Sequence, residues 1–283
     1  MRTRVLIGLL SALPAWAAAD DASELLAKAR AAFRLNLGRE KYWNWTSVET
    51  RWMDRSGVAT QRFPRVASES VILGEGRRCN AVTAWGDGHA AYLKDADPAD
   101  RCTAYNAIGT PFDVALLLNS AKATVATHAA DFITINVQPD KSRQKDADYS
   151  VRCAASIQAT IQLDAASFFP SRIEGRVEDS GCNGSFKPVM HETPLTREPM
   201  QSNFRKGSVF RVEYSLQKDR FENAANSFWI PTLQRYDNPM NQDAEVLYYW
   251  GRQFPVIRRG PRLIKEVITK AQEFGAGSTL TFK

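Results

Sequence analysis

The chain is poor in the residues that usually carry catalysis. It has three histidines, His89, His128 and His191, and none forms an H-x-x-x-H or H-E-x-x-H pattern, so the helical spacing that brings two imidazoles to one zinc ion is missing. There is no G-x-S-x-G, no G-x-x-x-x-G-K-[ST] and no G-x-G-x-x-G. That removes the nucleophile elbow, the phosphate loop and the dinucleotide fingerprint. The stretch Gly275 to Thr279 imitates a phosphate loop but lacks its lysine and reads as a turn. Four cysteines are present, Cys79, Cys102, Cys153 and Cys182, none in a C-x-x-C pair, so zinc-ribbon and thioredoxin-like chemistry lack their spacing. Acidic pairs such as Asp95 with Asp97 and Asp146 with Asp148 fall in loop-like stretches and read as solvated charge. No reaction, no metal and no cofactor are expected.

Long apolar runs are also scarce. Arg2 and Arg4 precede an apolar run from Val5 to Leu13 and small residues ending at Ala19, which is the layout of a secretory signal over residues 1–19. Nothing later approaches the roughly eighteen apolar residues that a membrane span needs. Residues 20–283 are therefore expected in the periplasm or outside the cell, as one domain with a long polar link at 183–207. Without Arg2 and Arg4, 37 basic residues become 35 against 31 acidic ones, a net charge of +4. That excess is too small for a nucleic-acid footprint, and no nucleic-acid partner is expected. Basic residues do gather late, as Arg252, Arg258, Arg259, Arg262 and Lys265. They read either as a solvated face or as a landing site for a membrane surface or an acidic envelope protein.

What the chain has in abundance is strand pattern. Ile157, Ala159, Ile161 and Leu163 alternate with polar residues, as do Ile173, Gly175 and Val177, and period two of this length means two strands, each with one dry face. Between them Asp164 to Pro170 supplies Asp and Ser side chains for local backbone bonds and a proline to open the next strand. The stretch from Ser150 to Cys182 is thus a hairpin around which the remaining strands are expected to lie. An even cysteine count in an exported chain suggests two disulfides. Proximity favours Cys79 with Cys102 and Cys153 with Cys182, though three pairings are open. Cys153 shares the odd numbering of its strand's apolar face, whereas Cys182 has the parity of the polar face of the other strand. The second bond then needs a bulge or strand end between Val177 and Cys182, which Ser180 and Gly181 can provide.

Asp21 to Leu37 reads as an amphipathic helix, with Asp21 and Glu24 at capping-box spacing and Gly38 as a stop. From Tyr42 the chain is extended to about Ser56, and Arg62 to Leu73, broken by Pro64, is its antiparallel neighbour. Asn80 to Leu93 is a hairpin turning at Asp87 and Gly88. Thr110, Pro111 and Asp113 open a helix that ends near Ala121, and His128 falls in the loop before a strand at Phe132 to Gln138. Further strands are expected at Ser208 to Leu216, Phe228 to Tyr236, Glu245 to Trp250 and Thr279 to Phe282. Leu263, Ile264, Val267, Ile268, Ala271 and Phe274 have the spacing of a last amphipathic helix. The sum is nine or ten antiparallel strands with two or three helices, an α+β fold. Aromatic residues crowd these strands, several on both sides of one strand; they read either as ordinary core, since sheets favour aromatics, or, where both faces are buried, as one face lining an apolar cavity. The candidate ligand-lining residues are Trp85, Tyr92, Ile161, Ile173, Phe210, Tyr214, Phe228 and Tyr248.

The signal-like leader, the helix DASELLAKARAAF before a long strand, the AVTAWGDGHAAYL hairpin, the helix TPFDVALLL and the ATIQLDAASFFPSRIEGRV hairpin together resemble the LolA/LolB-like superfamily of exported lipoprotein carriers, RseB-type relatives included. The resemblance implies a curved antiparallel sheet, an open half-barrel, with helices covering its concave face. It also implies a non-enzymatic binder or carrier of a lipid or acylated protein. The rival expectations are an envelope sensor or scaffold that docks a partner protein, and a secreted hydrolase assembled from distant residues.

Overall fold

The computed structural model describes residues 15–37, 39, 43–55, 58–63, 65–72, 78–86, 102–103, 117–118, 122–182, 185–186, 200–201, 205–218, 227–239, 246–249, 252–255 and 262–273. Its chain order is α1 (Ala15–Leu37), β1 (Trp43–Arg55), β2 (Val58–Arg62), β3 (Val66–Ile72), β4 (Arg78–Trp85), β5 (Cys102–Thr103), β6 (Ala123–His128), β7 (Phe132–Val137), α2 (Tyr149–Ala154), β8 (Ile157–Asp164), β9 (Pro170–Val177), β10 (Ser185–Phe186), β11 (Met200–Gln201), β12 (Val209–Gln217), β13 (Phe228–Pro239), β14 (Val246–Tyr249), β15 (Arg252–Pro255) and β16 (Arg262–Glu273). One sheet carries most of these strands in the order β5-β4-β3-β1-β16-β13-β12-β9-β8-β7-β6, with β2 paired to β1 off this path. Every pairing in it is antiparallel. The two ends of the path are different strands, so the sheet is an open curved sheet and the fold is α+β.

The curvature has local causes. Register shifts interrupt the pairing at Met53/Asp54, Ala67/Ser68, Val125/Thr127, Gln162/Leu163 and Glu213/Tyr214. An extra residue on one strand bends it and raises its twist, so five such sites spread across the sheet curl it.

The central hairpin forms as its alternation predicts. Strand β8 buries Ile157, Ala159, Ile161 and Leu163 and turns the residues between them outward. Its turn uses the expected chemistry: Ser167 donates from its backbone N–H (2.8 Å) and its hydroxyl (2.6 Å) to the Asp164 carboxylate. The N–H of Phe168 reaches the Asp164 carbonyl at 2.8 Å. Phe168 there has φ 57°, a left-handed conformation that a bulky side chain rarely adopts.

Four expectations are corrected. The run Leu263 to Phe274 is no helix: residues 262–273 are strand β16, inserted between β1 and β13. Ile264, Val267, Ile268 and Thr269 are β-branched, which suits a pleated, half-buried position better than a helix, and neighbours on both sides satisfy its backbone. Helix α1 starts at Ala15, not Asp21, because the alanines before Asp21 are strong helix formers; Glu24 instead pairs with Lys28 at 2.7 Å. Cys153 lies in the short helix α2, before the strand begins. His128 is not in a loop but ends β6 and is exposed.

The disulfide joins Cys153 to Cys182. Strand β9 ends at Val177 and a single 3-10 turn, Ser180–Cys182, returns the chain toward α2; with both cysteines off the strands, the parity argument, which places Cys153 on a strand face, does not apply. Cys79 lies on β4 and Cys102 on β5, opposite Ala81. Of the expected helix at 110–121, Leu117 and Leu118 are described, and both are buried. The turn at Asp87 and Gly88, Tyr92, and the strand at 279–282 lie outside the described residues. Within the link at 183–207, β10 pairs with β11.

Candidate functional site

The pairing register lays the residues of the concave face out in rows. One row runs Arg51, Lys265, Tyr236, Phe210, Gly175, Ala159, Val137 and Ala123 across β1, β16, β13, β12, β9, β8, β7 and β6. The next runs Glu49, Val267, Gln234, Val212, Ile173, Ile161, Ile135 and Val125 over the same strands. From β12 to β6 both rows are apolar, whereas from β13 to β1 they hold Tyr236, Gln234, Lys265, Arg51 and Glu49.

Helix α1 lies on the apolar part. Leu26, Ala29 and Phe33 pack with Leu117, Leu118, Ile135, Ile161, Ile173, Phe210, Val212 and Tyr214 in one buried cluster. Phe169, from the hairpin turn, is its hub: its ring stacks on Trp229 at 5.0 Å and on Phe33 at 5.8 Å and meets Tyr214 edge-on at 5.1 Å. Gly175 permits this packing at β12, since a Cβ there would stand 2.3 Å from the Phe210 ring. Polar bonds fix the helix end. Asn36 accepts from the Trp229 N–H at 2.7 Å and donates to its carbonyl at 2.9 Å, and Arg39 donates to the Ser227 carbonyl at 3.1 Å. Arg30 donates to the Leu118 carbonyl at 2.6 Å.

Beyond α1, a second buried cluster joins Trp43 and Trp45 of β1 to Phe228 and Ile230 of β13. The polar part lies beside it. Arg51 Nε is 2.5 Å from Glu49 Oε1, and Lys265 Nζ is 4.0 Å from Glu49 Oε2 and 5.7 Å from the Tyr236 ring centroid. Ser47 and Thr269 share a hydroxyl hydrogen bond at 3.0 Å, and the Tyr236 hydroxyl donates to Gln234 at 3.2 Å.

The predicted ligand-lining residues therefore divide. Ile161, Ile173, Phe210 and Tyr214 come together under α1, whereas Phe228 joins the Trp43 cluster. Trp85 ends β4 opposite Val66, and Tyr248 sits on the β14–β15 hairpin opposite Gln253. The basic group divides as well. Arg262 and Lys265 are three residues apart on one strand and so lie on opposite faces. Arg262 is ion-paired to Asp237 and donates to the Gly207 carbonyl at 2.8 Å. Arg252 opens β15, and Arg258 and Arg259 lie outside the described residues. Glu49, Arg51, Trp43 and Trp45 are the inner-face residues that the sequence reading leaves out of the site. Their signal is a shared odd parity on β1, legible only once its partner strands are known.

The outer face is different in kind. Arg172, Glu174, Arg211 and Glu213 form an alternating square, with Arg172 2.7 Å from Glu174 and Arg211 3.4 Å from it; Arg211 is also paired to Glu213. Next to it runs an apolar row, Ala67, Val48, Ile268 and Leu233. Val48 is 41% exposed and Ile268 47%. Among the described residues no group of three or more His, Cys, Asp or Glu is placed to hold a metal, and no helix is long and apolar enough to cross a membrane.

No family model and no curated protein matches the chain. Among solved structures it is similar to a putative outer membrane lipoprotein-sorting protein domain from Vibrio parahaemolyticus, at 11% identity over 93% of this chain and 95% of that one, with a TM-score of 0.34. It is also similar to a DUF1329 family protein from Desulfovibrio piger ATCC 29098, at 9% identity over 89% and 95%, TM-score 0.32. A third is the MucA/MucB complex from Pseudomonas aeruginosa, at 9% identity over 89% and 94%, TM-score 0.23. Likenesses of this size assign no function.

Proposed function

We propose that the protein is an exported, non-enzymatic binder that holds a lipid or an acylated protein against the concave face of its sheet. The observation that carries this is a mismatch of widths. Eleven strands at about 4.8 Å spacing make a sheet roughly 48 Å across, whereas α1, about 10 Å wide, is the one described helix of more than two turns that covers its inner face. Beyond the helix Trp43, Trp45, Phe228 and Ile230 form a second buried cluster of aromatic and apolar side chains. An acyl chain inserted between the helix and the sheet gains ~25 cal/mol for each Å² taken out of water.

The test is native purification followed by solvent extraction and mass spectrometry, with uptake of a fluorescent fatty acid by the delipidated protein. A co-purifying amphiphile, or saturable uptake, is expected. Protein that carries none and takes up none defeats the reading. A second reading, docking of an envelope protein, is favoured by the outer row in which exposed Val48 and Ile268 adjoin half-buried Leu233, because contiguous apolar surface on a solvated sheet face marks interaction sites.

A further inference from the structure

The outer face carries a charge pattern that inverts itself about its apolar row. On β16 Ile268 is 47% exposed, whereas Ile264, four residues earlier on the same strand and face, is buried at 4%. Val48, the partner of Ile268 on β1, is 41% exposed, and Ala67 and Leu233 continue the row on either side. The open apolar surface is thus centred on two adjacent interior strands. Side chains alternate along a strand, so the outer positions that flank the row lie two residues from it. On β16 they are Glu266 and Lys270; on β1 they are Thr50 and Thr46, paired with them in register. On β3 Glu69 lies opposite Thr46, on the Lys270 side, and Arg65, exposed and two residues before Ala67, lies on the Glu266 side. One flank therefore reads Arg65, Thr50, Glu266 and the other Glu69, Thr46, Lys270. At each charged position the sign is reversed.

That reversal has a geometric consequence. A two-fold axis laid along the apolar row turns a second copy over and exchanges the flanks. Val48 and Ile268 then meet their own counterparts, Thr50 meets Thr46, Arg65 meets Glu69 and Glu266 meets Lys270, with each flank contact made twice. A two-fold contact demands a surface that is complementary to itself, and on these three strands no like charges meet. The operation also lays the strands of the two copies along one another, the aligned packing of stacked sheets at about 10 Å. Lysine and glutamate reaching from opposite sides span that gap. Glu266 also lies 4.0 Å from Arg235, across a pair that is itself exposed to solvent, and Lys270 is exposed.

We infer that the outer row is the contact between two copies of this chain, a two-fold sheet-on-sheet dimer centred on β1 and β16. It assigns to a second copy the row considered above for an envelope protein, and it does not rest on the binding function of the inner face.

The experiment is sedimentation velocity on the full mature chain from micromolar to millimolar concentration. A dimer is expected within that range, and added salt should weaken it. K270E sets carboxylate against carboxylate across the axis and E266K sets ammonium against ammonium, so each is expected to weaken the dimer about tenfold. The swap E266K/K270E restores opposite charges and is expected to recover it. Positions 266 and 270 are about 13 Å apart along one strand, so no contact within a chain accounts for the recovery. An equimolar mixture of K270E and E266K chains is expected to associate more tightly than either chain alone, and it needs no doubly substituted protein. Far-UV spectra check that each variant is folded. A chain that stays monomeric to millimolar concentration overturns the dimer, and leaves the row to a different partner. A dimer indifferent to both single reversals, or one that neither the swap nor the mixture recovers, overturns it as well.

Discussion

At the scale of single residues, the most exacting position is Gly175. Its missing Cβ is the space that the Phe210 ring occupies, and Phe210 is itself fully buried, so the ring has nowhere to retreat. Gly175→Ala is expected to lower stability by about 1–3 kcal/mol, the usual cost of overpacking, read as a shift in denaturant midpoint at constant slope. Asp140 makes a different prediction. Its carboxylate accepts from the Ser142 hydroxyl at 2.7 Å and lies 3.3 Å from Lys122, and the Ser142 hydrogen bond is the largest cause holding its pKa below the ordinary aspartate value. A carboxyl with a lowered folded pKa contributes stability that is present above its unfolded pKa of about 3.9 and lost as pH falls through the folded value. Asp140→Asn is expected to flatten the acid limb of the stability-against-pH curve below about pH 4. An unchanged limb would mean that the Ser142 and Lys122 contacts do not persist in solution.

At the scale of elements, the central hairpin is held at both ends by unlike devices. Its closed end is the Asp164–Ser167 turn, and its open end is the Cys153–Cys182 bond between α2 and the 3-10 turn after β9. Tyr149 donates to the Cys182 carbonyl at 3.1 Å, and Arg152 donates to the Gly181 carbonyl at 3.2 Å. Gly181 is the one residue type that fits there, since a Cβ would stand 2.1 Å from the Ser156 hydroxyl and 2.5 Å from the Arg152 carbonyl. Closing a loop of this length removes unfolded-chain entropy worth about 3–4 kcal/mol. The Cys153→Ala/Cys182→Ala variant is expected to lose an amount of that order in chemical denaturation while keeping its far-UV spectrum. A loss below about 1 kcal/mol would show that the α2 and turn hydrogen bonds, without the bond between sulfurs, hold the open end.

At the scale of the whole molecule, the two faces of the sheet offer two ways to work, and they are separable. Val48→Lys with Ile268→Lys changes only exposed outer positions, so stability is expected to stay within about 0.5 kcal/mol and fatty-probe uptake to persist. If envelope docking is the function, the same variant loses capture of the partner that the unaltered chain retains. Loss of probe uptake in it would show that the outer row belongs to the ligand surface after all. The charged square of Arg172, Glu174, Arg211 and Glu213 is exposed and of the kind that contributes little to stability; it keeps the outer face wet and so helps to decide which face buries α1.

Local sequence was enough for the hairpin at Ile157 to Val177, its Asp–Ser turn, the extended run from Trp43 and the C-terminal end of α1. Each is a matter of neighbours within a few residues, where period, turn chemistry and side-chain parity act directly. Only the tertiary structure decided that residues 262–273 are a strand, because their apolar spacing suits a helix as well as a β-branched strand and the choice rests on partners, β1 and β13, that are distant in sequence. The same holds for the candidate site. Arg51 and Lys265 are more than two hundred residues apart and meet because β16 pairs with β1 antiparallel in a particular register, and Arg262 leaves their company because alternate residues of a strand face opposite ways.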